Sequence, residues 1–232
     1  FVLRALNYSY PPLFMYDIHV GAKHRPEAKG WFKKEAEVYI TINKQGLRVP
    51  IDQPKLSYPI SKPPNLLRIA VLGDSFTEGF QVTADERFTH ILEKTLNSCP
   101  ARPKQKIEVI NHGVSGMGQA REMALYENAV RQFNPDIILV AIAENDFGNN
   151  LREISQDPFS PYWEIDENGA LLWDLQFQAN PDFLRKLRWS NLRQEITLHS
   201  RLLQLLTEVY VRHFIERGNR QPWKTTAVIR YQ

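Results

Sequence analysis

The alternation of apolar and polar positions is most regular from residue 68 onward. Arg68, Ile69, Ala70, Val71 and Leu72 form a short β-branched and apolar run behind Lys62-Pro63-Pro64. That is the pattern of a fully buried strand in a parallel sheet. Gly73 ends the run, and Asp74-Ser75 stand where the strand would turn into a helix. Acidic and hydroxylated residues suit that turn because they cap free backbone N–H groups. A helix is expected over residues 88–97, with Phe88, Ile91, Leu92 and Leu96 on one face. A second strand at residues 107–110 ends in Asn111-His112-Gly113-Val114-Ser115-Gly116, and a second helix is expected over residues 120–133. A third strand at residues 137–142 ends in Ala143-Glu144-Asn145-Asp146. Strand–helix units in succession predict right-handed crossovers. The fold class is therefore α/β, a doubly wound, flavodoxin-like parallel sheet with helices on both faces.

The flanking stretches follow other patterns. Residues 1–64 are rich in Pro, Tyr and Trp and predict an irregular, partly β preface packed on the α/β domain of residues 65–232. Within the preface, alternation over residues 37–42 predicts a strand running into a turn at Asn43-Lys44-Gln45-Gly46, and residues 50–64 form the connection. Residues 147–181 read as a long loop over the carboxyl edge of the sheet. Residues 192–215 predict one amphipathic helix that buries Ile196, Leu202, Leu203, Leu206, Val209, Tyr210 and Phe214, and residues 225–229 predict a fourth strand. Its flanking Lys and Arg residues fit a solvated face better than a membrane surface.

Composition narrows the function classes. With 232 residues, 43% of them hydrophobic and 24% charged, the chain is long enough to bury a core and is not a disordered type. A net charge of +3 without a basic block argues against nucleic acid as a partner. The single Cys99 excludes an internal disulfide, and no His, Asp or Glu spacing suggests a metal; no cofactor is expected. No apolar run reaches the length of a transmembrane helix. The chain opens on Phe1 and stops at Gln232 inside a strand pattern, so a longer parent is expected. Membrane association, or an extracytoplasmic location, would then come from segments outside this chain.

With the first strand between the second and third, three turns converge at one sheet edge, where open α/β sheets bind ligands. Ser75 offers a hydroxyl nucleophile, and the N–H groups of Ser75 and Gly116, with the Asn145 side-chain amide, suit an oxyanion hole. Glycine at 116 would let its N–H approach the oxyanion without a Cβ. The plainer alternative is that Asp74 and Ser75 only cap a helix.

The blocks GDSFTEG, NHGVSG and ENDFGNN together resemble the SGNH, or GDSL-type, hydrolase superfamily. Gly73, Asp74, Ser75, Thr77 and Gly79 match its first block, Gly-Asp-Ser-x-Thr-x-Gly. The resemblance implies Ser75 as nucleophile, Gly116 and Asn145 as the glycine and asparagine of the later blocks, and Asp74 and Asp146 in support. The INKQGLR stretch is similar to the segment before the catalytic domain in some bacterial members. Two departures stand out. Ala143 replaces the glycine of the third block, and no Asp-x-x-His block, which carries the family's general base, is present. The six histidines are His19, His24, His90, His112, His199 and His213; His112 is nearest the proposed site in sequence terms, yet does not match the family's base. The simplest expectation puts the base downstream of Gln232.

The implied activity is hydrolysis of a carboxylic ester through an acyl-enzyme on Ser75, with a small-molecule, carbohydrate or lipid ester as substrate. An acyltransferase with the same site, or a degenerate domain that binds an acylated glycan or partner without turnover, remain alternatives. A nucleotide binder is a weaker third, since GDSFTEG is not a phosphate-binding glycine loop. Phe159, Tyr162, Trp163 and Trp173 either stack on a sugar or fasten the loop of residues 147–181, the second being the better reading.

Overall fold

The computed structural model describes residues 2–6, 8–100, 105–211 and 213. After a one-turn helix α1 (Val2–Ala5), the N-terminal segment forms two antiparallel hairpins, β1 (Phe14–Asp17) with β2 (Gly21–His24) and β3 (Lys29–Phe32) with β4 (Val38–Thr41). Asp17 shapes the first hairpin, its Oδ1 accepting from the N–H groups of His19 (2.9 Å) and Val20 (3.2 Å). The expected turn after β4 is built by Asn43, whose Oδ1 accepts from Gln45 and Leu47 N–H, each at 2.9 Å.

The α/β part is centred on β5 (Leu66–Leu72), which pairs in parallel with β6 (Lys106–Asn111) on one side and β7 (Ile137–Val140) on the other. Alternate β5 side chains serve opposite faces, as strand geometry requires. Ile69 and Val71 pack with Ile107, Val109 and the partly buried Leu92 and Leu96 of α3 (Phe88–Ser98). Ala70 and Leu72 pack with Val114, Met117, Ala124 and Leu125, the last two on α4 (Gln119–Leu125). Helices thus cover both faces, as expected. Two details differ from the sequence reading. Phe88 and Ile91 on α3 are 45% and 52% exposed, because only the Leu92–Leu96 edge meets the sheet. The helix expected over residues 120–133 continues past α4 as a π-helical turn (Tyr126–Val130) and a 3₁₀ turn (Arg131–Phe133).

The hairpins pack on this domain rather than standing apart. Val20 and Phe14 join the α4 face, while Leu13, Ala28, Ile40 and Ile42 surround Phe80. A charged residue sits inside the central strand. Arg68 is 0% exposed, and its guanidinium meets Glu108 at 2.5 Å and the Phe133 carbonyl at 2.5 Å. Glu108 is only part-buried, but losing Arg68 leaves the Phe133 carbonyl short of a donor. Arg68→Ala is therefore expected to lower the unfolding free energy by about 1–3 kcal/mol, read from urea midpoints.

The carboxyl-terminal third departs most from expectation. Residues 147–181 are not a structureless loop: they follow from α5 (Glu144–Asn150) into α6 (Arg152–Ser155), a hairpin of β8 (Tyr162–Ile165) with β9 (Leu171–Asp174), and a 3₁₀ turn (Gln176–Ala179). Their aromatics fasten the hairpin. Tyr162 is 0% exposed with its hydroxyl on Ser155 Oγ (3.0 Å), Trp163 stacks on Trp173 at 5.7 Å, and Phe159 packs on Phe183 at 5.5 Å. The helix expected over residues 192–215 is two helices, α7 (Pro181–His199) and α8 (Arg201–Tyr210). Asn180 and Pro181 start α7 early, the Asn180 Oδ1 accepting from Asp182 N–H at 2.9 Å. Extended Ser200 breaks the run and caps α8.

The stripe expected to be buried there is not. Ile196, Leu202, Leu206, Val209 and Tyr210 are each more than half exposed. These helices dock through Phe183, 0% exposed and edge-on to Tyr16 at 6.2 Å, and through polar groups. Asn191 pairs with both backbone groups of Tyr16 on β1 (2.9 and 2.8 Å), Arg25 holds Glu195 (2.8 Å), and fully buried Gln204 accepts from Tyr10 N–H (3.0 Å). Phe214 and the strand expected at residues 225–229 lie outside the described residues. Among the described residues no helix is long and apolar enough to cross a membrane.

Candidate active site

The parallel ladder draws the three turns together. Val114 N–H donates to the Gly73 carbonyl (3.0 Å), and Ala141 N–H donates to the Leu72 carbonyl (3.0 Å). Ser75 opens the short helix α2 (Ser75–Glu78), directly after β5. The cap on this helix is Asp74, which is 1% exposed: its Oδ1 accepts from Phe76 N–H at 2.9 Å. Its Oδ2 accepts from Asn145 Nδ2 at 2.7 Å, so one carboxylate ties the first and third turns together. Ser75 is half-buried, and its hydroxyl has no hydrogen-bond partner among the described residues. Capping is Asp74's work, and the serine hydroxyl is left over. Asn145 gives one of its two amide hydrogens to Asp74 and keeps the other.

Asp146 works one layer further in. It is 0% exposed, and its Oδ2 accepts from Ala143 N–H (2.9 Å) and from Gln119 Nε2 (3.1 Å). Asn150, bonded to Gln119, adds a contact to Ala120 N–H at 3.2 Å, which fastens α5 to the start of α4. Ala143 is extended (φ −113°, ψ 162°), so alanine fits where the resemblance has glycine.

The glycines have different reasons. Gly116 is exposed with φ +73°, and a Cβ there would meet no atom within 4 Å. The left-handed backbone by itself favours glycine at that position, and the open space leaves the Gly116 N–H accessible. Close approach operates three residues earlier, where a Cβ on Gly113 would lie 2.5 Å from Glu78 N and 2.7 Å from Thr77.

Three buried residues escaped the sequence reading. Glu78, 2% exposed, takes the Ser115 hydroxyl on one oxygen and His24 Nε2 (2.5 Å) on the other. Arg121 donates to the Gly116 carbonyl at 2.9 Å. Glu122, 2% exposed, has neither carboxylate oxygen paired among the described residues. Burial, reinforced by the charges of Asp146 and Asp74, pushes its carboxyl up to about 7. Their only sequence signal is a charge inside a block or an apolar helix face, which exposed charges share.

His112 does not reach Ser75 through any described hydrogen bond. Its ring is 5% exposed against Phe133 (5.7 Å), and burial depresses it to about 3, so it is neutral. These two groups give opposite pH slopes. Glu122 keeps its proton in the folded state between its ordinary 4.5 and about 7, so its contribution falls as pH rises through that window. His112 stays neutral while the unfolded chain protonates below 6.5, so its contribution falls as pH drops toward 3. Between 4.5 and 6.5 the slopes cancel. Glu122→Gln leaves only the second, so the variant's stability should rise by about 1.4 kcal/mol per pH unit there. Urea unfolding at several pH values checks this; a pH-independent variant would contradict it.

Beside Asn145 lies an open cleft of about 930 Å³, lined by Phe76, Ile142, Gly148 and Ile154 among others, with Glu144 its one charged residue among the described residues. Residues 69–183 match the family model described as GDSL-like Lipase/Acylhydrolase. No curated protein matches the chain. With a parallel β6-β5-β7 sheet carrying the GDS turn at its central strand end, the chain holds a GDSL-like lipase/acylhydrolase domain and belongs to the SGNH/GDSL hydrolase superfamily.

Proposed function

We propose that this chain is a serine-dependent carboxylic ester hydrolase that works through an acyl-enzyme on Ser75. One observation carries the reading: Asp74 caps α2 and binds Asn145, while the half-buried Ser75 hydroxyl beside it has no structural partner among the described residues. Ser75 Oγ attacks the ester carbonyl carbon, and the carbonyl becomes a tetrahedral oxyanion. The Ser75 and Gly116 N–H groups and the free hydrogen of the Asn145 amide take that charge, typically a large part of the rate gain. Collapse expels the alcohol, and water then attacks the acyl-serine to release the acid and restore Ser75. The Ser75 proton needs an acceptor. His24 is engaged on Glu78 and His112 is buried and neutral, so neither is assigned that role. The apolar walls of the cleft, with no cation among its described lining residues, favour a neutral ester with an apolar group on the acyl or alcohol side.

The test is to mix the full-length protein with p-nitrophenyl acetate, quench in acid and weigh the peptide bearing Ser75. Acetyl on Ser75 supports the reading. Unbound serine hydroxyls also suit a non-catalytic domain, and that second reading gains if no acetyl accumulates, no ester is turned over, and ligand binding survives Ser75→Ala.

A further inference from the structure

The N-terminal hairpin is wired into the turn that carries Gly116. The His24 ring is 5% exposed, stacked on Phe80 at 5.3 Å and tilted on Phe14 at 5.4 Å. Its Nδ1 lies 3.2 Å from the Gly46 carbonyl, which can only accept, so Nδ1 carries a proton. Its Nε2 lies 2.5 Å from one oxygen of Glu78, and the other oxygen of Glu78 takes the Ser115 hydroxyl. Glu78 belongs to the same four-residue helix as Ser75. A single buried carboxylate therefore joins the helix of the proposed nucleophile to the residue before Gly116.

The same hairpin reaches the turn a second time. Arg121, 8% exposed, donates through Nε to the Val20 carbonyl (3.1 Å), through Nη2 to the Ala22 carbonyl (3.2 Å), and through Nη1 to the Gly116 carbonyl (2.9 Å). Gly116 itself has φ +73° and open space where a Cβ would stand, so side-chain packing does not fix it. Buried polar ties from residues 20–24 do so instead.

We infer that His24 is a positioning residue for ester hydrolysis: through Glu78 and Ser115 it fixes the Gly116 N–H relative to Ser75. The inference rests on the proposed role of Ser75. Oxyanion donors act only when preorganised, and a displacement of about 1 Å can cost 10²-fold in rate. A group that only sets transition-state geometry changes kcat and leaves KM nearly untouched.

The experiment measures kcat and KM of the full-length protein on p-nitrophenyl acetate, with thermal unfolding of each variant. His24→Phe keeps a ring against Phe80 and removes the hydrogen-bond partner of Glu78; kcat should fall about 10²-fold with KM changed by less than about threefold. His24→Gln restores a polar partner able to donate or accept and should recover to within about tenfold of the wild type. Ser115→Ala removes the far end of the chain without touching the ring, and its kcat should fall about tenfold. It decides the matter if His24→Phe does not fold. The inference is overturned if folded His24→Phe or Ser115→Ala keeps wild-type kcat, or if Gln and Phe at 24 lose equally. A wild type that turns over no ester overturns the Ser75 reading, and this inference with it, whatever the variants do.

Discussion

Ser75→Ala is expected to abolish the proposed ester hydrolysis, lowering kcat by on the order of 10⁶-fold, as loss of the nucleophile does in serine hydrolysis. The same variant melts within about 2 °C of the wild type. Both halves follow from one local arrangement. The α2 cap is Asp74, whose carboxylate accepts from Phe76 N–H, so the serine hydroxyl bears no described structural bond. Removing it exposes no unpaired buried group and leaves no cavity, the two usual sources of large destabilisation. Hydrolysis of p-nitrophenyl acetate beside a calorimetric scan separates the effects. A Ser75→Ala protein that retains activity would mean that the hydroxyl is idle.

Asn145→Ala is expected to lower kcat by about 10²–10³-fold with KM little changed, because its free amide hydrogen is assigned to the oxyanion and not to the ground-state ester. Unlike Ser75, Asn145 also has a structural bond. Its Nδ2 sits 2.7 Å from Asp74, which is 1% exposed, and losing that donor leaves a buried carboxylate oxygen short of a partner. A stability loss of about 1–3 kcal/mol should accompany the kinetic one. Steady-state kinetics and urea unfolding on one preparation read both. A variant that loses stability alone would reduce Asn145 to a support for Asp74.

These effects bear on what could be read from the sequence. The sheet was legible because residues 66–72, 106–111 and 137–140 are short, largely apolar runs closed by small or polar residues; the central run is buried as that pattern implies, whereas Ile137, Ile138, Leu139 and Val140 are 39–48% exposed. The turn residues Asp74, Ser75, Gly116 and Asn145 were legible as candidates because each stands just past such a run. The third of the chain after α5 was not. Its hairpin and short helices are held by contacts such as Trp163 on Trp173, and its long helices dock through Phe183, Asn191, Arg25–Glu195 and Gln204 rather than through the apolar stripe. Polar docking leaves no periodic trace, so the sequence pointed to the wrong face and missed the break at Ser200. His24 and Glu78 were hidden for a related reason: they meet across 54 residues, and neither lies on a patterned face. Ala143 posed a difficulty in sequence that its extended backbone removes.

The most direct test of Ser75 as an activated nucleophile is labelling of the full-length protein with a fluorophosphonate, followed by peptide mapping. The account predicts a covalent adduct on Ser75, lost in Ser75→Ala while the variant stays folded. A folded protein that takes up no probe, or takes it up at Ser115 or another residue, would contradict it.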